Sequence, residues 1–244
     1  MYLPGAPYGA GSVEPLPEYM DVGVPGIDIS KWQGWVDFLE AHDQGIRFVI
    51  AKCSEGNAYY DPTFERNYLG AKAVGMVVGA YHYVRPGVKI NYQINTINKA
   101  LGTREIDAFM LDCESTDGRT PQEITDVIWG LAGKFGQRAP VMLNYTAKYW
   151  WNPNVKRSTH WKEVAGLAVA NWHVATPAMP ADWDLWTVWQ QGIVSARFGV
   201  AGQVDYDVWN PNVPFPGDAT PPPPPERKAK IKLTGYKTAE LEKE

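Results

Sequence analysis

Two carboxylates close the apolar run FMLDCES, residues 109–115: Asp112 and Glu114, with Cys113 between them. In a strand, residues i and i+2 point to the same side, so the two acids stand side by side at the end of a core-forming segment. Like charges that close resist joint ionisation, and one of the pair is pushed to hold its proton. A carboxylic acid beside a carboxylate in a dry, aromatic-lined cleft is the equipment of glycoside hydrolysis. The acid protonates the leaving oxygen, and the carboxylate supports positive charge at the sugar carbon. A carboxylate pair held by Arg or Lys and an acidic metal site use the same pattern, and D-x-E alone does not choose among the three.

A scaffold must hold such a pair at a rim. The spacing of apolar residues predicts strands over 26–30, 48–54, 76–84, 108–114, 141–146, 167–172, 185–191 and 204–209. Helices are expected over 36–44, 61–74, 90–101 and 120–137. The last of these is the clearest: Thr120 caps it, Pro121 takes its first position, Glu123 completes a capping box and Gly136 suits its end. Repeated strand–helix units imply a parallel sheet, and eight strands imply closure into a TIM-like barrel, although the last third has too little helix for a regular one. Polar residues gather at the expected strand ends: Asp28, Glu55, Tyr81 with His82, Asp112 with Glu114, Tyr145, Asn171 with Trp172, Gln190 and Asp205. In a parallel barrel those ends share one face, where active sites are built. Alternation places Met110 below the acid pair and turns Phe109, Leu111 and Cys113 toward the helices.

Composition narrows the partners. The net charge is −4, with no basic patch, which argues against nucleic acid. No apolar run approaches the ~18 residues of a membrane span, so no membrane insertion is expected. Four His and two Cys show no metal-ligand spacing, and neither a metal nor a cofactor is expected. Cys53 and Cys113 sit inside apolar runs and read as small buried hydrophobes. Eleven Trp exceed what packing ordinarily needs, and the excess points to flat platforms for sugar rings, with a Trp-rich core as the plain alternative. Tyr81, Tyr145, Trp172 and Trp189 lie at or next to the strand ends that should ring the cleft.

In order along the chain, GIDISKWQG (26–34), FVIAKCSEG (48–56), VGAYHYVRP (78–86), LDCES, NYTAKYWW (144–151), LAVANW, VWQQG and VDYDVW resemble the family 25 glycoside hydrolases, lysozymes of the muramidase type made by bacteria, fungi and phages. The resemblance covers roughly residues 25–212. It implies a modified barrel of five βα units and three further strands, the (β/α)5β3 type. It also implies cleavage of the β-1,4 bond from N-acetylmuramic acid to N-acetylglucosamine in peptidoglycan. The family's acidic residues fall on Asp28, Asp112, Glu114 and Asp205, with Glu114 matching the general acid and Asp112 its partner. Tyr81, Tyr145, Trp172, Trp189, Gln190 and Glu55 are the expected substrate-binding residues. Two positions depart from the pattern. Asp207 stands where the family often has Asn, and Cys113 replaces a small aliphatic residue.

Residues 1–24 read as an extended arm, 25–216 as the catalytic barrel, 217–230 as a Pro-rich spacer and 231–244 as a tail or the start of an incomplete module. The N-terminus shows neither a basic nor an apolar leader region, so no secretory signal is expected. A wall-degrading enzyme without one fits a phage product made in the cytoplasm, acting at the bacterial wall through a holin or as a virion component joined through the tail. Two other classes compete with an active muramidase. One is a catalytically silent glycan-binding module on the same scaffold. The other is an acidic metal-dependent hydrolase, which a chelator would inhibit.

Overall fold

The alternation of strand and helix closes on itself. The computed structural model describes residues 23–217. Its strands are β1 (Val24–Ile29), β2 (Phe48–Glu55), β3 (Tyr59–Tyr60), β4 (Val77–Tyr83), β5 (Ala108–Asp112), β6 (Val141–Thr146), β7 (Gly166–Ala170), β8 (Val188–Ser195) and β9 (Gln203–Trp209). Its helices are α1 (Phe38–Asp43), α2 (Phe64–Ala73), α3 (Ile90–Leu101), α4 (Pro121–Phe135), α5 (Lys148–Asn154) and α6 (Trp161–Val164). The ring runs β1-β9-β8-β7-β6-β5-β4-β2 and returns to β1. Neighbours from β8 back through β2 to β1 are parallel, and β9 is antiparallel to both of its neighbours. This is the expected closed barrel of five strand–helix units followed by three strands. The expected spacer from residue 218, the tail, and the arm up to residue 22 lie outside the described residues, and β1 begins at Val24.

Local signals explain the helices that position the sheet. The Thr120 hydroxyl accepts from the Glu123 N–H, and the Glu123 carboxylate accepts from the Thr120 N–H, so α4 starts on a complete capping box with Pro121 at its first turn. α5 and α6 were not expected: they are short, α5 carries Pro153, and neither shows a helical period.

Strand parity divides the core in two. Inward-pointing Phe48, Ile50, Val77, Ala108, Met110, Leu143, Ala168, Val188 and Trp209 fill the barrel. Phe48 needs Gly26 opposite it, where a Cβ would come within 2.4 Å of its ring. Outward-pointing Val49, Val78, Phe109, Leu111, Cys113 and Val169 pack under the helices. The orientation expected for residues 109–113 is the one observed. Both cysteines are free and buried on this outer side.

The tryptophans resolve into two populations. Trp151, Trp161, Trp183, Trp189 and Trp209 are buried, and each indole N–H has an acceptor: Asp182, the Lys156, Ala165 and Asn171 carbonyls, and the Val213 carbonyl. Trp151, Trp161 and Trp183 meet edge to face or stacked under α4, with centroids 4.9–6.5 Å apart. Trp32, Trp35, Trp129 and Trp172 are exposed, and Trp150 and Trp186 pack partly buried against the core. Seven of the eleven tryptophans are therefore in the core or packed against it, and four face the surface.

Candidate active site

Above the apolar layers, the inward positions turn polar. Asp28 of β1, Lys52 of β2, Tyr81 of β4, Asp112 of β5, Tyr145 of β6, Gln190 of β8 and Asp205 of β9 occupy one end of the ring. That end is the C-terminal edge of the parallel strands. Asp205 joins it from the start of its strand because β9 runs the other way, which pairs Asp205 with Asp28 across the ladder.

Two bulges adjust the rim. Between Lys52 and Ser54 the pairing of β2 with β4 slips by one residue, so that Glu55 pairs with Tyr83. Without the slip, alternation would put Lys52 and Glu55 on opposite sides; with it, the Lys52 ammonium reaches the Glu55 carboxylate at 2.8 Å. A second slip follows the pairing of Gln190 with Asp207 and puts Gly192 opposite Tyr206.

Gln190 links the rim. Its carbonyl oxygen accepts from the Tyr145 hydroxyl and the Trp172 indole N–H, both at 2.9 Å, and its amide donates to Asp28 Oδ2 at 2.7 Å. Four expected site residues therefore form one network. Glu114 stands past the end of β5, exposed at the rim, while Asp112 is buried, 7% exposed, with no hydrogen-bond partner for Oδ1 among the described residues. The Cys113 N–H bonds the Tyr145 carbonyl, which extends the strand alternation one residue beyond β5.

Not every expected residue reaches the mouth. Trp189 is 1% exposed and packs in the outer layer against Trp186, so it is not a wall of the cleft. Its neighbour Gln190 points inward, and adjacent strand residues cannot both do so. His82 also turns outward, held between Ser54 and Gln93 of α3, and burial lowers its pKa to about 4.

The comparisons with known proteins follow the same geometry. The model for glycosyl hydrolases family 25 matches residues 27–193. The chain belongs to glycosyl hydrolase family 25. Among its relatives, the Streptomyces globisporus lysozyme M1 is 29% identical over 218 residues, covering 77% of this chain and 68% of the relative. The N,O-diacetylmuramidase of a Chalaropsis species is 30% identical over 208 residues, covering 75% and 96%. The solved structure of a lysozyme from Streptomyces coelicolor superposes with a TM-score of 0.73 at 27% identity, covering 78% of this chain and 93% of that one. The protein is thus a glycoside hydrolase of a lysozyme and muramidase family that acts on peptidoglycan.

This family 25 mouth crowds five acids, Asp28, Asp112, Glu114, Asp205 and Asp207, and the charge of Lys52 acts on Asp112 and Glu114. Burial first, then the charge of neighbours, pushes Asp28, Asp112 and Asp207 well above the ordinary carboxylate range. Burial and Glu114 raise Asp205 to about 6. Burial raises Glu114 too, and Lys52 pulls it back. The stronger push thus falls on Asp112 rather than on Glu114, the residue that the family resemblance matches to the general acid. The reason is depth: Asp112 lies within the barrel and Glu114 at its edge.

Asp207 does not add the bare negative charge that its replacement of Asn implied. It is 2% exposed and hydrogen-bonded to Asp28, which requires a proton between the two carboxyls. An Asp in the unfolded chain titrates near ~3.9. The folded Asp207 keeps its proton to much higher pH. From about pH 4 upward the unfolded state binds fewer protons than the native one, so this group's contribution to stability falls as pH rises. Asp207→Asn still donates to Asp28 and does not titrate. Its melting temperature relative to wild type should therefore climb between about pH 4.5 and about pH 8. A pH-independent difference between the two proteins would contradict the shared proton.

Trp172 and Trp189 separate platform from core. Trp172 is 42% exposed with its ring at the rim, so Trp172→Ala should weaken oligosaccharide binding by up to about tenfold with little loss of melting temperature. Trp189→Ala should cost about 3–5 kcal/mol of folding stability. Calorimetric binding and thermal melts on both variants check the contrast, and a Trp172→Ala protein that melts far lower yet binds normally rules out the platform.

Proposed function

We propose that the protein cleaves the β-1,4 bond between N-acetylmuramic acid and N-acetylglucosamine in bacterial peptidoglycan, with Glu114 as general acid and Asp112 as its charged partner. The observation that carries this is the pairing of a rim acid, raised by burial, with a buried carboxyl whose Oδ1 has no hydrogen-bond partner among the described residues. An acetamido N–H of a bound N-acetyl sugar is the donor that Oδ1 lacks. Accepting it favours the ionised form of Asp112. The remaining proton of the pair then belongs to Glu114, which donates it to the glycosidic oxygen. Ionised Asp112 supports the positive charge that develops at the sugar carbon or on the acetamido group. Asp28 and Asp205 flank the pair, and the Gln190 network holds Asp28 beneath the substrate. The muramidase names of the relatives support the bond, and an endolysin among the solved relatives supports action at the bacterial wall.

Digestion of purified peptidoglycan followed by mass spectrometry of the soluble fragments tests the proposal. Muramic acid at the new reducing end is expected. N-acetylglucosamine at that end would replace muramidase by glucosaminidase action. Loss of activity on chelation would favour the metal-dependent class instead.

A further inference from the structure

Beside the acidic mouth lies a cavity of about 490 Å³ walled by Lys31, Trp32, Lys52, Glu55, Tyr59 and Arg85. Its balance of charge is opposite to that of the mouth. Glu55 is engaged by Lys52 at 2.8 Å and by Arg85 at 3.7 Å, and Arg85 also holds Asp117 at 2.9 Å. Asp61 is buried at the cavity's edge, its oxygens taken by the Lys31 and Thr63 backbone N–H groups and the Thr63 hydroxyl. Among the described residues, the Lys31 ammonium has no carboxylate within ion-pair reach. It lies 4.7 Å from the Trp32 ring and 5.4 Å from that of Tyr59.

The wall is built in advance. Lys31–Gln33 form a single 3-10 turn fixed by a capping box between Ser30 and Gln33, and the Gln33 amide donates to the Gln203 carbonyl on β9. This presents Trp32, 81% exposed, without further ordering at the moment of binding. Lys52 connects the two compartments: it borders the cavity and its charge is felt by both Asp112 and Glu114.

We propose that this cavity is a subsite for the peptide stem that muramic acid carries on its lactyl group, with Lys31 engaging the stem's carboxylates and Trp32 and Tyr59 its apolar parts. The inference rests on the muramidase reading. The sugar backbone of peptidoglycan is neutral and its stems carry carboxylates. A mouth crowded with acids repels a stem carboxylate, and a neighbouring cavity with an unpaired ammonium attracts it. The opposed charge of the two compartments therefore sets the orientation of the strand in the cleft.

Steady-state kinetics on glycan strands that retain their stems, and on the same strands stripped by an amidase and then capped as the methylamide at the lactyl carboxylate that hydrolysis frees, test the subsite. The wild type should show the lower KM on stem-bearing strands. Lys31→Glu should raise that KM by about five- to tenfold with kcat unchanged, while the stripped strands shift by less than about twofold. Lys31→Arg should restore the preference, and raising the salt from about 0.05 to about 0.5 M should erode it as the Debye length shortens. Equal losses on both substrates, or a wild type indifferent to the stems, overturn the subsite while leaving the muramidase reading intact. Failure of that reading has a different signature: wild-type enzyme releases no reducing-end muramic acid from either substrate, which overturns both.

Discussion

Glu114→Gln should abolish turnover and leave the fold intact. The amide fills the volume of the carboxyl but has no proton to give to the glycosidic oxygen, and general acid catalysis contributes about 10²–10⁴-fold. Structural damage is not expected, because the loop after β5 is anchored elsewhere. The Ser115 hydroxyl donates to Asp117 Oδ1 at 2.8 Å, the Gly87 N–H donates to Asp117 Oδ2 at 3.0 Å, and Arg85 closes on the same carboxylate. Glu114 itself stands exposed at the rim. Turnover of purified peptidoglycan and a thermal melt, measured on the same preparation, check both halves. A variant that keeps more than about a tenth of the wild-type rate means that another group is the acid.

The depth to which the site could be read from sequence follows the periodicity of each segment. Strand β6 and helix α3 appear at the residues expected, because VMLNYT and the run from Ile90 keep a clean period from end to end. The orientation of Met110, Asp112 and Cys113 was equally legible, since alternation in a buried strand leaves no freedom. The bulges were not. Nothing in KCSE announces the slip that brings Glu55 beside Lys52, because a bulge is a property of two paired strands and not of one. The reversal of β9, which puts Asp205 at the mouth from the opposite end of its strand, is likewise a matter of connection rather than composition. Trp189 is a different case. Once Gln190 is placed inward, parity alone turns Trp189 to the helices, so the signal was present in the adjacency of the two residues. The same holds for Tyr81 and His82. The role of Asp207 required burial to be known, because the same carboxyl on a wet rim would carry a charge, and at 2% exposure against Asp28 it carries a proton.

Asp112→Asn should lower turnover by about 10²-fold or more, the scale on which removal of a preorganised electrostatic group acts, and should move the alkaline limb of the pH profile to lower pH. The two effects have separate causes. The rate falls because the amide offers no negative charge to the oxocarbenium-like transition state. The limb moves because the two carboxyls are close enough for the charge of Glu114 to raise Asp112, and in the substrate complex an ionised Asp112 opposes loss of the second proton from the pair, where a neutral amide does not. Glu114 must be protonated to act, so the pH at which it ionises sets the alkaline limb, and removing the opposing charge brings that ionisation down. Stability should move in the other direction. Burial holds a proton on Asp112 in the free protein that the unfolded chain releases near ~3.9, so the wild type loses native-state stability from about pH 4 upward and Asn at this position does not. A variant that is slower, less alkali-tolerant in catalysis and more alkali-tolerant in melting is the combined expectation. The pH dependence of kcat, which reports the substrate complex where Asp112 is ionised, beside melting temperatures at matched pH, would show it. An unchanged alkaline limb would remove the coupling between the two carboxyls and leave Asp112 to act on the substrate alone.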